Sequence, residues 1–190
     1  ISYAGGPYCK SLAGDISVNL TGTGSYTGGT FSSTGGLTLN ATTGAITPST
    51  STAGSYTITY TTIASGGCSP VTATTTVDIT AVPTASISYA GDPFCTSVAG
   101  NIPVIISGTG SYTGGTFTSS PGGLTIDGTS GAITPSSSSS STYTITYTIP
   151  ASGGCASVPV TTTVTVTVLP TASISYAGGP YCKSLAGDIS

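Results

Sequence analysis

Residues 1–17, ISYAGGPYCKSLAGDIS, return letter for letter at 174–190, and a looser copy, ISYAGDPFCTSVAGNIP, starts at Ile87. A chain written this way must fold one unit more than once, so the repeat constrains every other reading. The alignment runs well past the opening. GTGSYTGGTF at 22–31 recurs at 108–117, GGLT at 35–38 at 122–125, GAITP at 44–48 at 131–135, and YTITYT at 56–61 at 143–148. The offset is 86 residues at first and 87 after an insertion near Pro121. The expected units are therefore 1–86 (repeat A), 87–173 (repeat B) and, at 174–190, the opening of another A. Lys10, Leu12 and Asp15 return as Lys183, Leu185 and Asp188, whereas the middle copy has Thr96, Val98 and Asn101. The higher-order period is thus 173 residues, and we expect an A-B-A-B array of which this sequence is a window.

Within each unit the side chains alternate. Val71, Ala73, Thr75, Val77, Ile79 and Ala81 fall on one face of a strand, with Thr72, Thr74, Thr76, Asp78 and Thr80 on the other. Repeat B keeps the scheme, with Val158, Val160, Thr162, Val164, Val166 and Val168 inward and Thr161, Thr163, Thr165 and Thr167 outward. A period of two with one apolar face is the signature of a half-buried strand, and β-branched residues suit it. Ile16, Val18 and Leu20, and then Tyr56, Ile58 and Tyr60, repeat the pattern, and shorter strands fit 29–33, 37–40 and 44–47. With the opening ISYA this makes about seven antiparallel strands per unit, joined by Gly-, Ser- and Pro-rich turns. That predicts an all-β fold of tandem immunoglobulin-like β-sandwiches. AGSYTI at 53–58 places Tyr56 two residues before inward Ile58, where a tyrosine corner bonds back to the backbone.

The resemblance in sequence is carried by GGLTLNATTGAITPSTSTAGSYTITYT, which resembles the "GL-x-x-x-x-x-TG-x-I … P … G-x-Y" pattern of bacterial Ig-like repeats in large surface proteins. The openings ISYAGGPYC and ISYAGDPFC further resemble tandem repeats of very long secreted adhesins of gliding bacteria. The resemblance implies an Ig-like fold, surface display and a structural or adhesive role, and it carries over no catalytic residue. Repeat B departs from it at Ser141, which stands where the pattern has Gly.

Cysteines point to an oxidising compartment. Pairing within each repeat, Cys9 with Cys68 and Cys95 with Cys155, closes loops of about 60 residues in both, each worth roughly 4 kcal/mol in the chain-entropy model. Cys182 would then pair beyond residue 190. The alternative is buried free thiols.

Charged residues are 4% of the chain, and the only cations are Lys10 and Lys183. A basic patch for nucleic acid is thereby excluded as a sequence feature. No apolar run approaches the roughly 20 residues of a membrane-spanning helix. There is no His, so serine or cysteine nucleophiles lack their usual base. The five acids are Asp15, Asp78, Asp92, Asp127 and Asp188, and no carboxylate pair occurs in both repeats. We expect no enzyme activity, no cofactor and no metal site. Lys10 near Asp15 suggests an isopeptide crosslink, but repeat B has Thr96 and Asn101 there, and an exposed lysine is the plainer reading.

More than a third of the chain is Ser or Thr. Thr74, Thr76, Thr161, Thr163, Thr165 and Ser138 are candidate acceptors for O-linked sugar, and Asn19 and Asn40 match the N-linked pattern. The junctions AVPTAS (81–86) and VLPTAS (168–173) hold one proline each, Pro83 and Pro170, and no flexible linker. Short stiff junctions between like units predict a rod. The expected function is a repeated structural element in the shaft of an extracellular, cell-surface or secreted fibre or giant adhesin. Its partners would be neighbouring repeats and covalent glycans. The alternatives are a carbohydrate- or surface-binding module using Tyr26 and Tyr112 in the GTGSYTGG turns, and the subunit of a strand-swapped filament.

Overall fold

The computed structural model describes residues 1–177 and Gly179, and Cys182 with the rest of the last copy lies outside them. Among the described residues there is no α-helix. The first unit holds β1 (Tyr8–Cys9), β2 (Thr30–Ser33), β3 (Gly54–Thr61) and β4 (Thr72–Thr80), in a sheet of order β1-β4-β3-β2. The second holds β5 (Thr84–Ser88), β6 (Phe94–Cys95), β7 (Ile105–Thr109), β8 (Thr116–Ser120), β9 (Ser141–Ile149) and β10 (Val158–Thr167). Its large sheet, β6-β10-β9-β8, copies the first, and β5-β7 is a separate ladder. The fold is a tandem of Ig-like β-sandwiches.

The opposing layer of each sandwich is built from brief pairings. In the first unit these are Ser2 with Asn19 and Ile46 with both Ile16 and Leu39; in the second, Ile133 pairs with Ile102 and Ile126 beside the β5-β7 ladder. Ile46 and Ile133, each wholly buried, sit at the centre of the two cores. Facing them are Tyr56, Ile58 and Tyr60 in one unit and Tyr143, Ile145 and Tyr147 in the other, the residues that the alternation points inward. Threonines fill the outward positions. Phe31 stacks on Tyr60 with ring centroids 4.6 Å apart, and Phe117 on Tyr147 at the same distance.

Two expectations about strands are corrected. The pairing is not all antiparallel: β1 runs parallel to β4, with Cys9 opposite Thr80, and β6 runs parallel to β10, with Cys95 opposite Thr167. The Gly6-Pro7 and Asp92-Pro93 turns take the chain out of the opposing layer to the edge of the large sheet. Secondly, Val71 and Val168, expected inside, are 67% and 65% exposed. Val71 precedes β4 and Val168 follows β10, outside the paired strands, while Val77 and Ile79 within β4 and Val164 and Val166 within β10 are buried.

Candidate functional site at the junction

β4 ends at Thr80 and β5 begins at Thr84, so three residues, Ala81, Val82 and Pro83, separate the two sandwiches. Pro83 is buried, whereas its counterpart Pro170 is exposed. Proline fixes the backbone between two strands that belong to different sheets. Against this short connection the second unit presents two turns.

The first is Ser152-Gly153-Gly154-Cys155, which joins β9 to β10. Ser152 and Cys155 exchange both backbone hydrogen bonds, at 3.1 and 2.9 Å, and the two glycines have φ of 59° and 77°. This is a two-residue hairpin whose central residues both need positive φ, which glycine supplies without steric cost. Its tip rests on the end of the first unit. Thr80 Oγ1 donates to the Gly153 carbonyl, and a Cβ on Gly154 would collide with the Pro7 carbonyl. Cys155 is disulfide-bonded to Cys9, with Cα atoms 4.8 Å apart and a sequence separation of 146. Cys9 is 1% exposed and Cys155 4%.

The disulfide therefore joins the two units, and the expected pairs Cys9–Cys68 and Cys95–Cys155 are not formed. The reason is the length of the last strand. Cys9 lies opposite Thr80, at the far end of β4, whereas Cys68 sits in the turn that precedes β4. The nine residues of β4, at about 3.3 Å each, alone span roughly 30 Å and put these positions near opposite ends of the sandwich. A disulfide tolerates a Cα separation of no more than about 7 Å. The same strand geometry separates Cys95, opposite Thr167, from Cys155. Cys68 is exposed and Cys95 partly so, and both are free thiols. Hydrogen bonds from Ser97, and secondarily from Thr96, hold the Cys95 thiol below its ordinary pKa.

The second turn is GTGSYTGG at 108–115. Gly110 stands 3.5 Å, measured from a Cβ built on it, from Pro83, and Thr84 and Thr109 share a hydroxyl–hydroxyl bond of 2.7 Å. The Tyr112 ring covers Gly108, and its carbonyl accepts the Tyr147 hydroxyl at 2.7 Å. Tyr112 is thus a part of the junction and of the core edge. Tyr26 repeats this packing on Gly22 and the Tyr60 hydroxyl, but its turn borders an open groove of about 380 Å³ shared with Ile63, Cys68 and Val71.

Tyrosine hydroxyls fasten the loops throughout. Tyr56 donates to the Thr52 carbonyl at 2.7 Å and Tyr143 to the Ser139 carbonyl at 2.6 Å, which is the expected tyrosine corner. Tyr3 donates to Gly44 and Tyr89 to Gly131, and burial pushes the pKa of each up to about 12, with Tyr8 adding to the effect on Tyr3.

Of the candidate sugar acceptors, Thr74, Thr76, Thr161 and Thr163 are exposed, Thr165 is half-buried and bonded to Thr142, and Asn19 and Asn40 are exposed. Asn40 Oδ1 accepts the amides of Thr42 and Thr43. Ser138 does not belong with them. It is 8% exposed, accepts from the Thr125 amide at 2.9 Å and donates to the Thr134 carbonyl at 2.8 Å. Its position just after the 3-10 turn Pro135–Ser137 aims the hydroxyl inward, where it satisfies two backbone groups. Ser51 does the same in the first unit. Asp15 and Asn101 are likewise equivalent, accepting from Thr47 and Thr134 respectively. Among the described residues no group of three or more potential metal ligands is found.

No family model and no curated protein matches the chain. Solved structures with a similar course of chain include the N-cadherin EC1-4 fragment of Drosophila, at 10% identity and a TM-score of 0.49, covering 87% of this chain and 47% of that one. Others are human protocadherin-24 EC1-2, at 10% identity and 0.42, covering 77% and 84%, and fibronectin(III)-like modules of Clostridium thermocellum CbhA, at 15% and 0.37, covering 85% and 90%. The chain spans about half the length of the first of these.

Proposed function

We propose that this chain is a stretch of the non-catalytic shaft of an extracellular fibre or giant adhesin. The sequence repeats are 1–86 and 87–173, with 174–190 opening the next; the sandwiches they form meet at residues 81–83, because β5 (Thr84–Ser88) joins the second, and neighbouring repeats are the principal partners. The observation that carries the reading is the covalent tie between units: a disulfide across a three-residue junction holds the second sandwich against the end of the first. A module working alone gains nothing from such a tie, whereas a shaft gains stiffness at the point where a string of domains would otherwise bend. The same bond fits an oxidising location at the cell surface or outside it. Exposed threonine rows along β4 and β10 would carry glycan or water in place of charge.

Electron microscopy of native material tests this. The expected image is an unbranched thread that advances by roughly 60–80 Å per two units, given long strands of 8 to 10 residues at about 3.3 Å each together with their flanking turns. Compact particles, or an advance near 40 Å per two units, would refute an extended shaft.

A further inference from the structure

Every contact by which the second unit grips the first has an unused counterpart on the molecule. Gly153 meets Thr80, Gly154 meets Pro7 and Gly110 meets Pro83; their equivalents Gly66, Gly67 and Gly24 face open space. The turn Ser65-Gly66-Gly67-Cys68 has the geometry of its bonded twin, with Ser65 and Cys68 exchanging backbone bonds of 3.3 and 2.9 Å and glycine φ of 58° and 82°. Beside it, Ile63 and Val71 are 53% and 67% exposed. At the other end of the molecule, Cys95 repeats the setting of bonded Cys9. Lys10 N bonds the Thr80 carbonyl and Thr96 N the Thr167 carbonyl, both at 2.9 Å, and Leu12 N and Val98 N bond the Cys9 and Cys95 carbonyls, also at 2.9 Å.

We propose that Cys95 and Cys68 are half-sites of further staggered disulfides, in which the opening cysteine of each unit bonds the Ser-Gly-Gly-Cys cysteine of the unit that follows. Cys95 takes the turn cysteine of a following copy of the repeat, and Cys68 the opening cysteine of a preceding one. The inference rests on the shaft reading and specifies how the shaft is crosslinked. The oxidant is a small-molecule disulfide or an exchange catalyst carrying one. Cys95 thiolate attacks it, forming a mixed disulfide and expelling one thiol. The turn cysteine then attacks the Cys95 sulfur, expelling the second thiol. Two protein thiols lose two electrons and two protons, and one small disulfide becomes two thiols. The hydrogen bonds that lower the Cys95 pKa favour the first step.

The test uses a tandem chain in which residues 1–173 are followed by residues 1–190, with Cys95→Ser in the second copy so that every Cys95 peptide comes from the first, refolded with reduced and oxidised glutathione, alkylated, and digested without reduction. Mass spectrometry should find Cys9 joined to Cys155 and the Cys95 of the first copy joined to Cys68, with loss of the alkylated thiol at that Cys95. Cys68→Ser in the second copy should abolish the Cys95–Cys68 peptide, and the same change in the first copy should leave it. Recovery of that peptide from the monomer band on non-reducing electrophoresis places the partner in the same chain. Recovery from a reductant-sensitive ladder places it in another chain, and either result supports the proposal. Alkylated Cys95 in the first copy, Cys95 joined to Cys155 of its own unit, or absence of the Cys9–Cys155 peptide would overturn it. Native threads seen by microscopy together with free Cys95 would leave the shaft standing and remove only this crosslink.

Discussion

Consider the chain pulled from its two ends. In the oxidised molecule the covalent path runs from Ile1 to Cys9, across the disulfide to Cys155, and along β10 towards the C-terminus. The loop between the bonded cysteines, a sequence separation of 146, is bypassed, and at about 3.5 Å per step it represents about 500 Å of contour that force cannot extract. What remains in the path is already extended, because β10 carries its load lengthwise at about 3.3 Å per residue. Force spectroscopy of the oxidised chain should therefore show no domain-sized unfolding step. After reduction, two steps should appear, each releasing about 250 Å when some 86 residues go from a folded sandwich to extended chain. Disulfides confined within the repeats would behave otherwise, with each unit of the oxidised chain still giving a step of about 90 Å from the residues outside its loop. Two domain-sized steps in the oxidised chain, or no change on reduction, would refute the tie.

Other consequences can be checked in bulk. Gly154→Ala places a Cβ against the Pro7 carbonyl at a residue with φ of 77°, so the oxidised chain should gain two titratable thiols, whereas Gly67→Ala, with open space around it, should gain none. Ser138→Ala leaves the Thr125 amide without its partner and should cost about 1–3 kcal/mol in urea unfolding, while exposed Ser136→Ala should stay within about 0.5 kcal/mol of the parent. Tyr3 and Tyr89 hold their protons up to about 12 in the folded state against an ordinary value of 10.0, so the folded chain binds more protons than the unfolded one in that window. The stability they contribute is complete below pH 10 and is lost as pH rises from 10 to 12; the urea midpoint should fall there, and Tyr89→Phe should flatten the slope.

Much of the sandwich could be read from residue order. Tyr56, Ile58 and Tyr60 alternate with threonine and do face the core, and the tyrosine corner at Tyr56 follows from its place before Ile58. Alternation identifies a face but not how much of that face is covered, which is why Val71 and Val168 were expected inside and lie outside. The short parallel strands β1 and β6 carry only two residues each, too few for a period to show. Ser138 sits in a serine run that looks like an exposed tract. The available signal was that Ser51 occupies the same place after Pro48 in the other repeat, as a position that serves the backbone would.

The cysteine pairing was hidden for a different reason. Two cysteines per period fix the chemistry but not the phase: the opening cysteine of one unit can join the second cysteine of the same unit, the next or the previous, and all three choices repeat with the same period. Loop entropy does not decide among them, since it grows only with the logarithm of loop length. What decides is that β4 runs the length of the sandwich, with one cysteine at its beginning and the other beside its end. A strand that long forbids closure within the unit and brings each opening cysteine to the face where the next unit docks. The tie across the junction thus depends on what lies beside the end of β4, and shortening β4 and β3 together by two residue pairs at the Cys68 end should leave both the sandwich and the Cys9–Cys155 bond in place, because Cys9 stays opposite Thr80 and Thr80 stays under the hairpin tip; loss of the Cys9–Cys155 peptide from the oxidised variant would refute this.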